Sequence, residues 1–159
     1  MLYLAADHAG FELKKQLKNW LDKQKIKFQD LGPLSEVAVD YPDYAHKLAS
    51  LVVQKRAQGI LICGTGLGMS IAANRWRGIR AARCGSELDA KLAREHNNAN
   101  VLTLGARQIS VAKAQKILQK FLTTKFAGGR HQRRVRKIES LSIARAKNSS
   151  SNNSSANNK

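Results

Sequence analysis

Gly59-Ile-Leu-Ile-Cys-Gly-Thr-Gly-Leu-Gly-Met-Ser70 is the stretch that decides the fold. Its apolar run, Ile60 to Ile62, is short and without polar alternation, the pattern of a strand buried on both faces in a parallel sheet. The run ends in Cys63, and glycines follow at alternate positions, Gly64, Gly66 and Gly68. Ser70 then opens a small-residue helix, Ile71-Ala72-Ala73, which runs on towards Arg77-Gly78. A strand, a glycine loop and a helix in that order aim backbone N–H groups and a positive helix end at one point, a place for an anion. A thiol stands in the same loop.

The same alternation continues on both sides of this unit. Upstream, Leu2 to Ala6 reads as a buried strand, followed by Asp7-His8-Ala9-Gly10 and a helix. Leu13, Leu17, Trp20 and Leu21 form that helix's apolar stripe, with lysines between them. Ile26 to Leu31 is a second strand, stopped by Gly32-Pro33, and Tyr41-Pro42 marks a helix start with Ala45, Leu48, Leu51 and Val52 facing inward. Downstream, Ile79 to Cys84 is a fourth strand. Ser86 with Asp89 three positions on is a helix-start signal, and Val101 to Leu104 is a fifth strand closed by Gly105. The helix from Ser110 carries Ala114, Ile117, Leu118, Phe121 and Leu122 on one side, and Gly128-Gly129 separates it from a last, basic helix. Strands that alternate with helices predict a three-layer α/β/α, Rossmann-like fold with a five-stranded parallel sheet. Ligands of open sheets of this kind bind beyond the carboxyl ends of the strands, here Asp7-His8, Cys63 to Ser70 and the loops after Cys84 and Leu104.

The chain of 159 residues is one domain, 1–147, with an Asn/Ser-rich tail, 148–159, that is expected to be disordered because it has too little apolar content to pack. No run reaches the length of a membrane span and no signal segment precedes the first strand, so a cytoplasmic protein is expected. Cys63 and Cys84 are the only cysteines and do not form a Cys-x-x-Cys pair, so free thiols are expected rather than disulfides or zinc ligands. The net charge of +17 is spread along the chain, with eight basic residues against Glu139 from Phe126 onward. Such a balance speaks to nonspecific attraction and solubility before function, and no specific nucleic-acid partner is expected.

Several residues could carry chemistry. The glycine loop lacks the Gly-Lys-Ser/Thr ending of a nucleotide-binding loop and the spacing of the dinucleotide fingerprint, and a tight turn alone would also use glycines. Beside a helix N-terminus, where a thiol's pKa is lowered, Cys63 could serve as base or nucleophile. Cys84 reads as a small buried hydrophobe. His46 lies in an amphipathic helix as a surface residue, whereas His8, His96 and His131 sit at element ends, where functional groups concentrate. No pair of histidines has metal-ligand spacing on one helix. Arg130 and Arg134, four apart, share a helical face that could fork around a phosphate or form part of a solvated basic face.

Six motifs then resemble one family. They are Asp7-His8-Ala9-Gly10, Asp40-Tyr-Pro-Asp-Tyr44, Cys63 to Asn74, Glu95-His-Asn97, Leu104-Gly-Ala-Arg107 and Gly128-Gly-Arg-His-Gln-x-Arg134. In this order, over about residues 1 to 145, they resemble the type B ribose-5-phosphate isomerases, in the sugar-phosphate isomerase family that also holds galactose-6-phosphate isomerase subunits.

The resemblance implies interconversion of ribose 5-phosphate and ribulose 5-phosphate through an enediolate, with neither metal nor organic cofactor. It makes Cys63 the base and Thr65 a helper in proton transfer at the sugar oxygens. The N–H groups of Gly64, Gly66, Leu67, Gly68 and Ser70 would hold the oxyanion. By the same resemblance His96 opens the furanose ring and Asn97 binds substrate. Asp7 and His8 bind the sugar and its phosphate end, Tyr44 lines the site, and Arg107, Arg130 and Arg134 hold the phosphate. Family members are homodimers, sometimes paired into tetramers, with shared active sites, and His96, Asn97 and Arg107 are expected from the partner chain. Arg133, Arg83 and the tail depart from the family pattern. A hexose 6-phosphate isomerase is the near alternative, and a non-catalytic basic anion- or RNA-binding protein is the distant one.

Overall fold

A computed structural model describes residues 1–140; the expected domain end at 147 and the Asn/Ser tail lie outside the described residues. Five strands form, β1 (Leu2–Ala6), β2 (Phe28–Asp30), β3 (Gln58–Cys63), β4 (Ala81–Arg83) and β5 (Val101–Gly105). They pair in the order β2-β1-β3-β5-β4, and all pairings are parallel. The helices are α1 (Phe11–Lys23), α2 (Tyr41–Lys55), α3 (Leu67–Ala73), α4 (Glu87–Asn97), α5 (Val111–Thr123) and α6, residues 130–140. A short 3-10 turn, His8–Gly10, joins β1 to α1. The expected α/β class and five-stranded parallel sheet are both present. No helix among the described residues is long and apolar enough to cross a membrane.

Successive strand residues point to opposite faces, and the core divides accordingly. Leu2, Leu4, Ala6, Ile60, Ile62, Leu102 and Leu104 pack against α1, α4 and α5, through Leu13, Leu17, Leu21, Ala90, Ala93, Ile117 and Phe121. Tyr3, Ala5, Leu61 and Cys63 pack against α2 and α3, through Ala45, Leu48, Val52, Met69 and Ala73. Both faces of the central strands are therefore dry, which is why their sequence runs are uniformly apolar. The edge strands β2 and β4 cover three residues each, shorter than the runs Ile26 to Leu31 and Ile79 to Cys84 suggest. Each has a single neighbour, and its ladder begins only where that neighbour begins, at Leu2 for β2 and at Val101 for β4.

The helix after the glycine loop also differs from its sequence reading. It begins at Leu67, three residues before Ser70, because Gly66 adopts φ +78 as its N-cap and turns the chain into the helix at once. It ends at Ala73, well before Arg77, where the Asn74 side chain accepts from the Ala81 N–H and donates to the Ala81 carbonyl, both at 2.8 Å. That pair ties the end of α3 to the start of β4. The signals at Tyr41-Pro42, Ser86 and Ser110 all mark real helix starts, and Ser86 with Asp89 forms a reciprocal capping box.

One polar group is built into the core. The Lys14 ammonium, 2% exposed, lies 2.7 Å from Asp30, which Lys18 contacts from its other oxygen at the same distance. Lys14 also donates to the Pro33 carbonyl. Burial alone would raise the Asp30 pKa, but hydrogen bonds from Lys14, Lys18 and the Gly32 N–H outweigh it and hold the carboxyl below its ordinary value. A depressed carboxyl pKa contributes stability above the unfolded value of 3.8 and loses it as pH falls through the lower folded value. Asp30→Asn leaves Lys14 charged and unpaired, and we expect a loss of about 3 kcal/mol at pH 7 in urea unfolding. Between pH 5 and pH 2 the wild type should lose more of its stability than the variant; parallel pH curves would show that Asp30 does not supply the acid dependence.

Candidate active site

In this strand order the chain reverses direction across the sheet between β1 and β3, and a crevice opens beyond their carboxyl ends. The last residue of β3 is Cys63, and Asp7 follows β1, with its N–H donating to the Ile62 carbonyl at 3.0 Å. A hollow of about 260 Å³ lies there, lined by Asp7, His8, Ala9, Tyr41, Cys63, Gly64, Thr65, Gly68 and Arg107. The crevice thus collects residues from four separate motifs of the sequence.

Cys63 is 6% exposed, and its sulfur accepts from the Gly66 N–H at 3.1 Å. A backbone donor on the sulfur orients the thiol at the mouth of the loop. Thr65 is exposed at the turn, and its hydroxyl accepts from the Leu67 N–H at 3.3 Å. Neither Thr65 nor Gly68 donates its own N–H to an acceptor among the described residues, and both line the hollow. At Cys84, desolvation, with Asp89 nearby, pushes the thiol up to about 12. It stays a neutral core residue, as its sequence position suggests.

The glycines are needed for close approaches. A side chain at Gly68 would meet the Tyr41 ring at 2.7 Å, and one at Gly64 would meet the Arg107 guanidinium at 3.2 Å. Gly10, whose N–H donates to the Asp7 carboxylate at 2.9 Å, sits so near the Ile62 carbonyl that a Cβ would lie 2.4 Å from it. Asp7 is thereby fixed, 7% exposed, while His8 stays exposed with its Nδ1 accepting from the Val39 N–H at 3.4 Å.

The structure gathers Asp7, His8, Cys63, Gly64, Thr65, Gly68 and Arg107, and leaves other expected residues elsewhere. Gly66 acts through its N–H on the Cys63 sulfur, and Leu67 opens α3 with its side chain 54% exposed. Ser70 turns away: its N–H is taken by the Gly66 carbonyl, and its hydroxyl donates to Ala81 at 3.4 Å. Tyr44 packs beside Gly32 and lines a different hollow with Val39, Asp40, Asp43 and Lys47. Tyr41, three residues earlier on α2, takes its place. The signal was within reach, because both tyrosines belong to the Asp40 to Tyr44 motif and only helix phase separates them. Arg107, expected from a partner, lies in the same hollow as Cys63 of its own chain, held by its N–H on the Gly64 carbonyl at 3.0 Å. Arg83, one of the departures from the family pattern, lies against this loop. Its guanidinium donates to the Thr65 carbonyl at 3.4 Å and to the Gln108 side chain, bracing the loop from β4.

A second cluster stands at the other end of the sheet. His96 and Asn97 close α4, and the chain passes through Asn98 to Asn100 into β5, whose first residue pairs with Gly59 at the beginning of β3. From Gly59 to Cys63 is about 13 Å of strand. His96 stacks face to face on His131 of α6, ring centroids 4.2 Å apart and planes within 5°. Desolvation, then the charges of His96, Arg130 and Arg134, lower the pKa of His131, which favours the neutral ring in the stack. Arg130 and Arg134 are exposed on the same helix. Within one chain this cluster does not meet the Cys63 hollow. No group of three or more His, Cys, Asp or Glu residues among the described residues is arranged to hold a metal ion.

Known proteins resemble this chain along most of its length. The family model for Ribose/Galactose Isomerase matches residues 2–138. The ribose-5-phosphate isomerase B of Escherichia coli is 42% identical over 136 residues, covering 85% of this chain and 91% of that protein. A ribose 5-phosphate isomerase from Thermotoga maritima is 54% identical with a TM-score of 0.86, covering 87% of this chain and 97% of that one. The ribose-5-phosphate isomerase B of Mycoplasma genitalium, solved with bound ribulose-5-phosphate, is 43% identical with a TM-score of 0.86, covering 89% and 95%. Matched by that family model over residues 2–138 and by these enzymes along most of its length, the chain belongs to the ribose/galactose isomerase family.

Proposed function

We propose that the protein interconverts ribose 5-phosphate and ribulose 5-phosphate through a cis-enediolate, with Cys63 as the base. The observation that carries this is the Cys63 thiol, held by the Gly66 N–H at the wall of a hollow that also contains Asp7 and two cationic or ionisable groups, His8 and Arg107. Proton removal from a carbon next to a carbonyl needs a positioned base and donors where negative charge develops. Cys63 takes the proton from C2 of the open-chain aldose, and the electron pair moves onto the carbonyl oxygen at C1. The unspent N–H groups of Thr65 and Gly68 face that charge, and the Thr65 hydroxyl moves a proton between the two oxygens. Return of the proton from Cys63 to C1 gives the ketose. No cofactor enters the step.

The working unit is a homodimer with shared sites. His96, Asn97, Arg130 and Arg134 lie away from the Cys63 hollow of their own chain, so a second copy would supply them. Apolar side chains favour that assembly: Leu67 and Ile71 on α3, and Leu88 and Leu92 on α4, are 54%, 69%, 62% and 37% exposed. Each pair is four residues apart, hence on one helical face, and both helices flank the three-residue edge strand β4. In the complete site His96 opens the sugar ring, Asn97 binds the opened substrate, and Arg107, Arg130 and Arg134 with His8 hold the phosphate. A soluble sugar phosphate as substrate suits an enzyme of the cytoplasm.

Substrate length is decided by comparing ribose 5-phosphate, allose 6-phosphate and galactose 6-phosphate under the same conditions. We expect kcat/KM for the pentose to exceed both hexoses by about tenfold or more, since one further carbon displaces either the phosphate or the reacting carbons. Faster turnover of a hexose phosphate would reassign the enzyme within its family. Salt-sensitive RNA binding without any turnover would replace catalysis by the binding role.

A further inference from the structure

The last turn of α4, which carries His96 and Asn97, is held by Arg80. At the end of α4 the last carbonyls lack helical partners, and Asn98 turns left-handed at φ 47. The Arg80 Nε donates to two of these carbonyls, Asn97 at 3.1 Å and Asn98 at 3.0 Å. Its main chain grips the same turn, because the Arg80 N–H donates to the Asn100 side chain at 2.8 Å and the Arg80 carbonyl accepts from the Asn100 N–H at 3.1 Å. Arg94 adds a second guanidinium on the Asn98 side chain and the Ala99 carbonyl.

Arg80 also reaches the other half of the cluster. Its Nη1 pairs with Glu139 of α6 at 2.5 Å, with side chains only 18% and 30% exposed. The helix holding Arg130, His131 and Arg134 is thereby joined to the turn holding His96 and Asn97. The Ala127 N–H, which donates to the Glu95 carbonyl at 3.0 Å, reinforces the junction, and the stacked imidazoles close it. Arg56, Arg80 and Arg94 border a hollow of about 630 Å³; there Arg80 is engaged on the α4 carbonyls and Glu139, and Arg94 Nη1 on Asn98 and Ala99, while the Arg94 Nε has no hydrogen-bond partner among the described residues. Their arrangement is that of a brace, and a positive group there also complements the negative end of α4.

We propose that Arg80 is a positioning residue for ring opening, setting His96 and Asn97 against α6 through its fork on the α4 carbonyls and its pair with Glu139. This rests on the ring-opening role of His96 proposed above. A planar guanidinium presents its Nε to the two carbonyls and its Nη1 to the carboxylate from fixed positions, a separation that the single nitrogen of an ammonium does not offer. Removing it loosens the His96 turn and leaves the Cys63 hollow, at the far end of the sheet, unchanged.

The test separates the two directions of reaction. When enzymatic ring opening fails, the rate from ribose 5-phosphate stops rising with enzyme concentration and levels at the uncatalysed opening rate. The rate from ribulose 5-phosphate, already open-chain and with its aldehyde product trapped, stays proportional to enzyme. Full-length Arg80→Gln should show this plateau, with forward turnover below it reduced on the order of tenfold or more and reverse turnover within about twofold. Arg80→Lys, which keeps the charge and the Glu139 pair, should fall between it and wild type; it carries the test if Arg80→Gln does not fold. Equal losses in both directions, or wild-type proportionality in both, would assign Arg80 to stability alone and overturn the proposal. His96→Ala is the control: if it shows the plateau while Arg80 variants do not, only the positioning role falls, and if it shows none, the role of His96 falls with it.

Discussion

Cys63→Ala lowers turnover in both directions by about 10³-fold or more, while leaving substrate binding and subunit assembly as they are. The effect is large because the hollow offers no substitute. Asp7 is anchored through one oxygen to the Gly10 N–H, the His8 Nδ1 faces Val39, and Arg107 is a cation, so none of these side chains stands where the sulfur does, at the end of β3 beside the glycine loop. It is also confined to the chemical step. Truncating Cys63 removes one sulfur from a position beside Gly66, whose left-handed conformation and helix-capping role come from the glycine itself. Steady-state rates in both directions, with binding of ribulose 5-phosphate measured by calorimetry on the variant, make the check. Turnover within tenfold of wild type would remove Cys63 from the role of base. Cys84→Ala is the matched control, and it should isomerise normally because its thiol stays protonated and points into the core.

His96→Ala produces a different signature, a forward rate that reaches a ceiling as enzyme is added. Most ribose 5-phosphate is a closed ring, and proton abstraction at C2 needs the open aldehyde. With Cys63 intact, the variant still isomerises whatever opens by itself. Forward turnover therefore falls on the order of 10²-fold at high enzyme, and the reverse reaction from the ketose is reduced far less. Proportional loss in both directions would show that His96 acts on the enediolate step. A mixture of Cys63→Ala and His96→Ala chains adds a second reading. If sites combine Cys63 of one chain with His96 of its partner, half of the sites in a mixed dimer contain both native residues, and mixing restores enzyme-proportional isomerisation of the closed-ring sugar that neither variant has alone. No recovery after subunit exchange would place both residues in one chain's site.

Much of the fold was legible because burial leaves local marks. Ile60 to Ile62, Leu2 to Ala6 and Val101 to Leu104 carry no alternation since both faces of each strand are covered, and that pattern belongs to the central strands of a parallel sheet. Ser86, Ser110 and Tyr41-Pro42 were readable for a similar reason, since capping is completed within three or four residues. Local chemistry misled where the deciding contact was distant. Nothing near Ile26 or Ile79 states that the neighbouring strand begins only opposite Phe28 or Ala81, and nothing near Arg77 states that Asn74 will bond Ala81 and stop α3 at Ala73.

The candidate site divides the same way. Sequence alone determined the chemistry of the loop from Cys63 to Ser70: a thiol at a strand end, glycines that let backbone approach closely, and a helix start, all within reach of one another along the chain. It also determined, through six motifs, the family. Tertiary structure decided which of the matched residues share a space. It put Tyr41 rather than Tyr44 against Gly68, turned Ser70 towards β4, brought Arg107 over Gly64 of its own chain, and set His96 at the far end of the sheet. Those outcomes depend on helix phase and strand order, which arise when separate elements pack. A residue's type fixes what it can do, but only the packing of distant segments fixes which substrate atom it can reach.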